Sequence, residues 1–192
     1  MPETIARGAE AILVRDGARL SKERISKGYR APELDSRLRH RRTRLEARVI
    51  DALLRAGANV PRVISTDENS CKIEMDFLDG KKARDRFSEK LVPKIAEQII
   101  IVHSAGIIHG DITTSNMILS SGKIWLIDFG LAKFSSSVED RAVDIHLFSQ
   151  ALESTHTPVA RKAFGKFLKI YGRKFPEVVA RLKKVESRGR YR

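Results

Sequence analysis

The spacing of apolar residues changes character near the middle of this 192-residue chain. Residues 9–22 (AEAILVRDGARLSK) carry two short apolar runs on either side of Asp16 and Gly17, a dipeptide that favours a tight hairpin, so two antiparallel strands are expected. Residues 27–35 (KGYRAPELD), broken by Gly28 and Pro32, read as a loop. Over residues 36–56 the apolar positions Leu38, Leu45, Val49, Ala52, Leu53 and Ala56 recur near the helical period, which predicts a helix ended by Gly57. Residues 62–66 and 71–77 return to strand-like runs around a polar turn.

The second half is mostly helical. Pro93 opens a helix to about Ser104, with Ile95, Ile99 and Val102 on one face and Gly106 at its end. Residues 117–119 and 124–127 read as short buried strands, and residues 139–152 as an amphipathic helix. Thr157 and Pro158 open another, with Val159, Ala163, Phe167 and Tyr171 on one face and a stop at Gly172. Pro176 opens a last short helix, and the tail from Ser187 (SRGRYR) is expected to be mobile unless bound. The expected fold class is α+β: one domain over 1–192, with a strand-rich lobe at 1–77 that includes one long helix, a helical lobe at 78–186 and a basic tail at 187–192. A cleft should lie between the lobes.

Composition narrows the setting. The chain is 42% hydrophobic and 32% charged, as for a globular domain with a charged surface. No apolar run approaches the roughly 20 residues that cross a bilayer. The start, MPETIARGAE, reads as neither a secretory nor a transit peptide. The single Cys71 excludes an internal disulfide and a thiolate metal cluster. A cytoplasmic protein without membrane association fits these features. The net charge of +13 predicts attraction to RNA, DNA or an acidic protein. Arginines crowd one helix (Arg37, Arg39, Arg41, Arg42, Arg44, Arg48), and basic residues crowd the tail (Arg181, Lys183, Lys184, Arg188, Arg190, Arg192).

Residues 107–130 (IIHGDITTSNMILSSGKIWLIDFG) carry the chemistry. Phosphoryl transfer is mainly positioning and charge neutralisation, and it needs oxygen ligands for Mg²⁺, a cation on the phosphates and a group that orients the acceptor. Asp128 follows a strand, with its carboxylate placed to hold a metal. Asn116 supplies a neutral oxygen ligand, and Asp111 would accept the proton of the attacking hydroxyl or water. Such hard oxygens suit Mg²⁺. The cation should come from the first lobe, with Lys22 at the end of the second strand as candidate and Lys27 as its rival in the loop. Glu46 shares the apolar helix face with Val49 and Leu53, where a carboxylate needs a partner; Lys22 would supply one, and Arg42 on the same helix is the alternative. Asp144, on the helix after DFG, shares a face with Phe148 and Ala151 and is a candidate support for the catalytic loop. The histidines show no metal-ligand spacing.

These residues resemble the eukaryotic-type protein kinases, and more narrowly the Bud-type, Kae-associated atypical kinases of the KEOPS (EKC) complex. The likeness rests on HGDITTSNMIL, on KERISKGYRAPELD at 22–35, on RRTRLEAR at 41–48 and on the basic RGR ending, and it covers nearly the whole chain. It implies a minimal bilobal kinase-like fold that binds ATP and Mg²⁺. Lys22, Glu46 and Asp111 would be catalytic, and Lys22, Asn116 and Asp128 would face ATP. Glu74, Met75, Asp76 and Phe77 would meet the adenine through backbone groups. The family works beside a Kae-type threonylcarbamoyltransferase and other KEOPS subunits that make threonylcarbamoyladenosine in tRNA, where its members are implicated as an ATPase or regulatory kinase with weak auto- or partner phosphorylation. Arg41, Arg42, Arg188, Arg190 and Arg192 would then touch RNA or a partner.

The departures from ordinary protein kinases matter. No G-x-G-x-x-G phosphate loop is present, and only Gly8 occupies that region. HGD replaces HRD. DFG ends at Gly130 and the next helix is expected by about Glu139, which leaves no room for a peptide-docking segment. An independent Ser/Thr kinase, an aminoglycoside-type kinase and a non-catalytic ATP-binding scaffold are the competing readings.

Overall fold

The computed structural model describes residues 2–8 and 10–189, with side chains as far as Val185. The first half contains strands β1 (Glu3–Arg7), β2 (Ala11–Asp16), β3 (Arg19–Arg24), β4 (Val63–Asp67) and β5 (Lys72–Asp76), with helix α1 (Pro32–Arg55) between β3 and β4. The strands form one antiparallel sheet in the order β1-β2-β3-β5-β4. Asp16 pairs with Arg19 across the tight turn, where Gly17 takes the left-handed backbone (φ 59°) that such turns demand.

Two features differ from expectation. Strand β1 is not legible in the sequence, because ETIAR is exposed at all five positions and has no apolar run; its order comes from pairing with β2. Helix α1 starts at Pro32, inside the stretch that reads as a loop. Proline is preorganised for a first helical turn, and Glu33 and Asp35 there complement the helix dipole. The inner face of α1 buries Val49, Ile50 and Leu53 in the main core and sets Ala47 against Ile73 and Met75 of β5.

The second half contains β6 (Lys81–Lys82), α2 (Val92–Ser104), β7 (Ile107–Ile108), β8 (Met117–Ser120), β9 (Lys123–Leu126), β10 (Lys133–Phe134), α3 (Val138–Thr155), α4 (Thr157–Tyr171) and α5 (Pro176–Gly189). Strands β6, β8 and β9 form a small sheet, and β10 pairs with β7. Helix α5 is 14 residues long, not short, and runs into the expected tail. Phe175, Val178 and Leu182, one helical turn apart, are buried and hold it against α3. Residues 190–192 lie outside the described residues.

An aromatic column organises the helical lobe. Phe164 stacks on Phe167 at 6.0 Å, Phe167 on Tyr171 at 5.4 Å, and Tyr171 meets Phe175 at 5.1 Å, while Phe148 of α3 meets Phe167 edge-on. Asn59, in the loop between α1 and β4, ties the lobes together. Its backbone N–H donates to Gln98 Oε1 (2.7 Å), its side-chain Nδ2 to the Ile124 carbonyl (3.1 Å), and its carbonyl accepts from the Leu126 N–H (2.9 Å).

Phe167 is fully buried, so Phe167→Ala should cost about 3–5 kcal/mol of stability, read as a lowered denaturant midpoint at unchanged slope. Stability should also fall in mild acid. His156 stacks on Phe87 at 4.2 Å and shares a hydrogen bond with Thr114 Oγ1; burial, then the charge of Arg84, pushes it below the ordinary imidazole range. Burial pushes His109 the same way against the pull of Asp144, Asp128 and Asp111. Both take up a proton less readily in the folded chain than in the unfolded chain, where the ordinary value is 6.5. Stability is therefore full above that pH and is lost as pH falls below it. A denaturation series from about pH 7.5 to 5.5 checks this, and His156→Asn should flatten the slope.

Candidate functional site

A cavity of about 590 Å³ opens between the lobes, a size suited to a nucleotide. Its upper wall comes from β1, β2 and β3 and its lower wall from the catalytic loop and the segment after β9, with Lys22, Glu46, Asp111, Asn116 and Asp128 all on its lining. Lys22 lies in the middle of the sheet, paired across to Leu13 on β2 and Ile73 on β5, and is buried. Its ammonium donates to Glu46 Oε1 at 2.7 Å and to Asp128 Oδ1 at 2.8 Å. Burial alone would lower its pKa, but the two carboxylates overcome that and hold it above the ordinary lysine value. Burial would raise Asp128, but Lys22 and the Gly130 N–H overcome that and hold it below the ordinary carboxyl value.

Glu46 is 1% exposed and has a second partner that the sequence reading does not identify. Arg24 Nη2 lies 2.5 Å from Glu46 Oε2, so each carboxylate oxygen meets its own cation. The sequence does hold the signal: Lys22 and Arg24 are two apart on a strand and so point to the same face. Arg42, the alternative partner, turns instead to Glu10 at 2.6 Å. Lys27 stays in the loop, its ammonium 4.0 Å from Glu10.

The loop after β7, residues 109–116, which carries Asp111 and Asn116, is suspended from α3. The two oxygens of Asp144 accept the backbone N–H groups of His109 and Gly110, each at 2.9 Å. His103 Nε2 reaches the same carboxylate at 3.1 Å, and its Nδ1 meets the Tyr171 hydroxyl at 2.6 Å. A carboxylate can only accept, so Nε2 carries a proton toward Asp144. Burial pushes the Tyr171 pKa up, which keeps its hydroxyl protonated beside Nδ1. Gly110 has φ 81°, and a Cβ there would lie 2.5 Å from the Leu131 carbonyl. HGD is therefore a packing requirement as well as the loss of an arginine.

Asn116 Nδ2 donates to Asp111 Oδ2 (2.8 Å) and to its carbonyl (3.0 Å). The amide oxygen is thereby left to a cation. Asp128 has the left-handed φ of 62° and a half-exposed side chain, with Oδ1 engaged by Lys22. The Asp128 carboxylate and the Asn116 amide are hard oxygen donors of the kind Mg²⁺ selects, so the donor set fits that ion.

Of the four residues expected to meet an adenine, three line the cavity. Met75, Asp76, Phe77 and Leu78 line the cavity, whereas Glu74 does not. Glu74 sits mid-strand between Ser21 and Ser65, and its side chain turns outward to Ser65 and Lys72. The N–H of Asp76 donates to the Arg62 carbonyl and that of Phe77 to the Ala18 carbonyl. Asp76 and Phe77 can thus offer an adenine only carbonyls, and the next N–H along the wall is that of Leu78.

Of the expected RNA or partner contacts, Arg41 is exposed, but Arg42 is turned inward. The side chain of Arg188, and Arg190 and Arg192 altogether, lie outside the described residues.

The RIO domain family matches residues 18–141 of the chain. The KEOPS complex subunit Bud32 of Pyrococcus abyssi is 40% identical, over 89% of this chain and 83% of its own length. A probable bifunctional tRNA threonylcarbamoyladenosine biosynthesis protein of Methanothermobacter thermautotrophicus is 41% identical over 99% of this chain, which spans only 37% of that relative. Among solved structures, the Rio2 kinase of Chaetomium thermophilum, crystallised as an ADP/Mg²⁺-phosphoaspartate complex, superposes with a TM-score of 0.63 at 15% identity, covering 97% of this chain and 70% of its own. That likeness carries the kinase-like bilobal fold. At 40% identity over nearly its whole length, the chain belongs to the RIO-domain family of atypical kinases, in the branch that includes the KEOPS subunit Bud32.

Proposed function

We propose that this chain is a Mg-ATP-dependent ATPase and atypical kinase that serves a KEOPS complex in making threonylcarbamoyladenosine in tRNA. The observation that carries the reading is the ion network of Lys22, Glu46 and Asp128 facing Asp111 and Asn116 across one cavity. In this reading Lys22 holds the phosphates while Glu46 fixes it from behind. Asp128 and Asn116 would hold Mg²⁺, which when bound neutralises charge on the phosphates. Asp111, oriented by the Asn116 amide, accepts the acceptor's proton, and Asp144 keeps the loop that carries it in place. Met75, Asp76, Phe77 and Leu78 line the adenine side.

Water, or a serine or threonine of this chain or a partner, is the acceptor favoured here. After Gly130 the chain forms the short β10 and enters α3 by Val138, so a peptide finds little surface to dock on. The bifunctional relative supports a role beside a second catalytic unit, since this chain matches only about a third of it. We assign that unit to a Kae-type threonylcarbamoyltransferase, in a cytoplasmic complex. No helix among the described residues is long and apolar enough to cross a membrane. In this scheme the lobes divide at residues 77–78, and the basic tail from residue 187, with Arg188, Arg190 and Arg192, contacts tRNA. Arg37, Arg41, Arg44 and Arg48 are spaced along one exposed face of α1 and offer a second basic surface.

The deciding experiment measures ATP turnover with and without the transferase subunit and tRNA while tracing labelled phosphate. Turnover that rises with the partner, with label in free phosphate, supports the ATPase reading; label in an added peptide supports an independent kinase. Asp128→Ala should abolish turnover while circular dichroism stays native, and retained turnover would remove Asp128 from the metal site. Asp111→Ala should slow turnover about a hundredfold or more, roughly 2.7 kcal/mol. Deleting residues 187–192 should weaken tRNA binding and reduce its log–log salt slope by about 0.7–0.9 for each phosphate no longer neutralised. An unchanged slope would exclude the tail from the RNA surface.

A further inference from the structure

Gly8 and Glu10, between β1 and β2, line the cleft where a kinase keeps its phosphate-covering glycines. This chain presents a glutamate there. Glu10 lines the cavity together with Gly8, Lys22 and Asp128. Its Oε2 is 2.6 Å from Arg42 and 4.0 Å from Arg24, and its Oε1 is 4.0 Å from Lys27. An acidic side chain thus sits in a cradle of three cations drawn from β3, the following loop and α1.

The cations and the glutamate are held very differently. Arg24 is 4% exposed and anchored by Glu46, whereas the Glu10 side chain is half exposed. Glu10 can swing into solvent and Arg24 cannot follow. The Nε of Arg24 is buried without a hydrogen-bond partner among the described residues. A buried donor left unpaired is costly, and an anion oxygen that reached it would relieve that cost. Arg24 also stands beside the metal-ligand candidate: Arg24 Nη2 and Asp128 Oδ1 each lie 3.2 Å from the point a Cβ on Gly130 would occupy. The guanidinium and the carboxylate flank the same glycine, so an anion bound near Asp128 would also meet Arg24.

We propose that Arg24, which lines the cavity, forms an anion subsite for the terminal phosphates of the nucleotide, with Arg42 and Lys27 adding positive charge from outside the lining, and that Glu10 occupies it as a latch until the nucleotide displaces it. The inference rests on the nucleotide reading of the cleft. A bound triphosphate replaces the Glu10 carboxylate, which turns out to solvent. Arg24 also keeps one oxygen of Glu46 paired while Lys22 turns from Asp128 toward the phosphates, so no buried carboxylate is stranded.

The test is equilibrium binding of AMP, ADP and ATP with Mg²⁺, by calorimetry on the full chain at low salt, for the wild type, Glu10→Gln, Arg24→Gln and Arg24→Lys. Glu10→Gln should tighten ATP by about two- to fivefold, the range an exposed ion pair commands, and leave AMP unchanged. Arg24→Gln should weaken ATP about tenfold or more relative to AMP, with partial rescue by Arg24→Lys, because the hydrogen bond it removes is charge-assisted. If nucleotides bind but Glu10→Gln leaves the ATP-to-AMP ratio unmoved, or weakens ATP, the latch is overturned while the nucleotide site stands. If AMP, ADP and ATP all fail to bind the wild type, the nucleotide reading and this inference fall together. Glu10 is exposed, so its variant settles the matter even if Arg24→Gln fails to fold.

Discussion

The Glu46 carboxylate is the constraint around which this cleft is built. It is 1% exposed, and an unpaired charge at that depth would cost several kcal/mol. Two cations two residues apart on β3 satisfy its two oxygens, so α1 can dock on the sheet only where Glu46 meets both Lys22 and Arg24. Val49, Ile50 and Leu53, on the same inner side of the helix, enter the core at that register. Helix docking, strand register and the position of Lys22 are thus one condition. The same interaction leaves Lys22 with a second tie, to the half-exposed Asp128.

The lower wall obeys a different rule. The catalytic loop has almost no regular structure, and its conformation is imposed by hydrogen bonds from buried groups. Asp144 takes two successive backbone N–H groups, and His103 and Tyr171 in turn fix Asp144. Tyr171 belongs to the aromatic column between α3, α4 and Phe175, so the packing of the helical lobe reaches the loop that carries Asp111 through a short chain of contacts. Gly110 lets the Leu131 carbonyl approach and joins that loop to the segment after Asp128. The helical lobe works as a rigid mount for two carboxylates and an amide.

Much of this is legible in the sequence because it depends on local period and spacing. The hairpin around Gly17, the helices begun by prolines and the order of Asp111, Asn116 and Asp128 all follow from residues near one another in the chain. What escapes depends on partners far away. Strand β1 has no apolar pattern and exists because β2 offers it an edge. Arg24 looks like an ordinary surface charge until Glu46, twenty-two residues on, is placed beside it. Glu74 falls beside Met75 and so reads as part of the adenine wall, but a central strand flanked on both sides uses its backbone in the ladder. Asn59 carries no motif at all, yet it ties its loop to both α2 and β9.

The same distinction resolves the excess of positive charge. A net charge of +13 reads as a basic surface, but the arginines divide into two populations. Arg24, Arg39 and Arg42 point toward carboxylates: Arg24 to Glu46, Arg39 to the buried Asp35 at 2.7 Å, and Arg42 to Glu10. They shape the cleft and the loop before α1. Arg37, Arg41, Arg44 and Arg48 emerge on the opposite side of the helix, Arg44 paired with Glu68 and Arg48 over the Phe134 ring at 5.9 Å. Residues four and three apart share a face, so adjacent arginines in the sequence serve opposite purposes. Clustering in the sequence therefore overstates the number of cations available to a polyanion and hides the fraction that holds the cleft together.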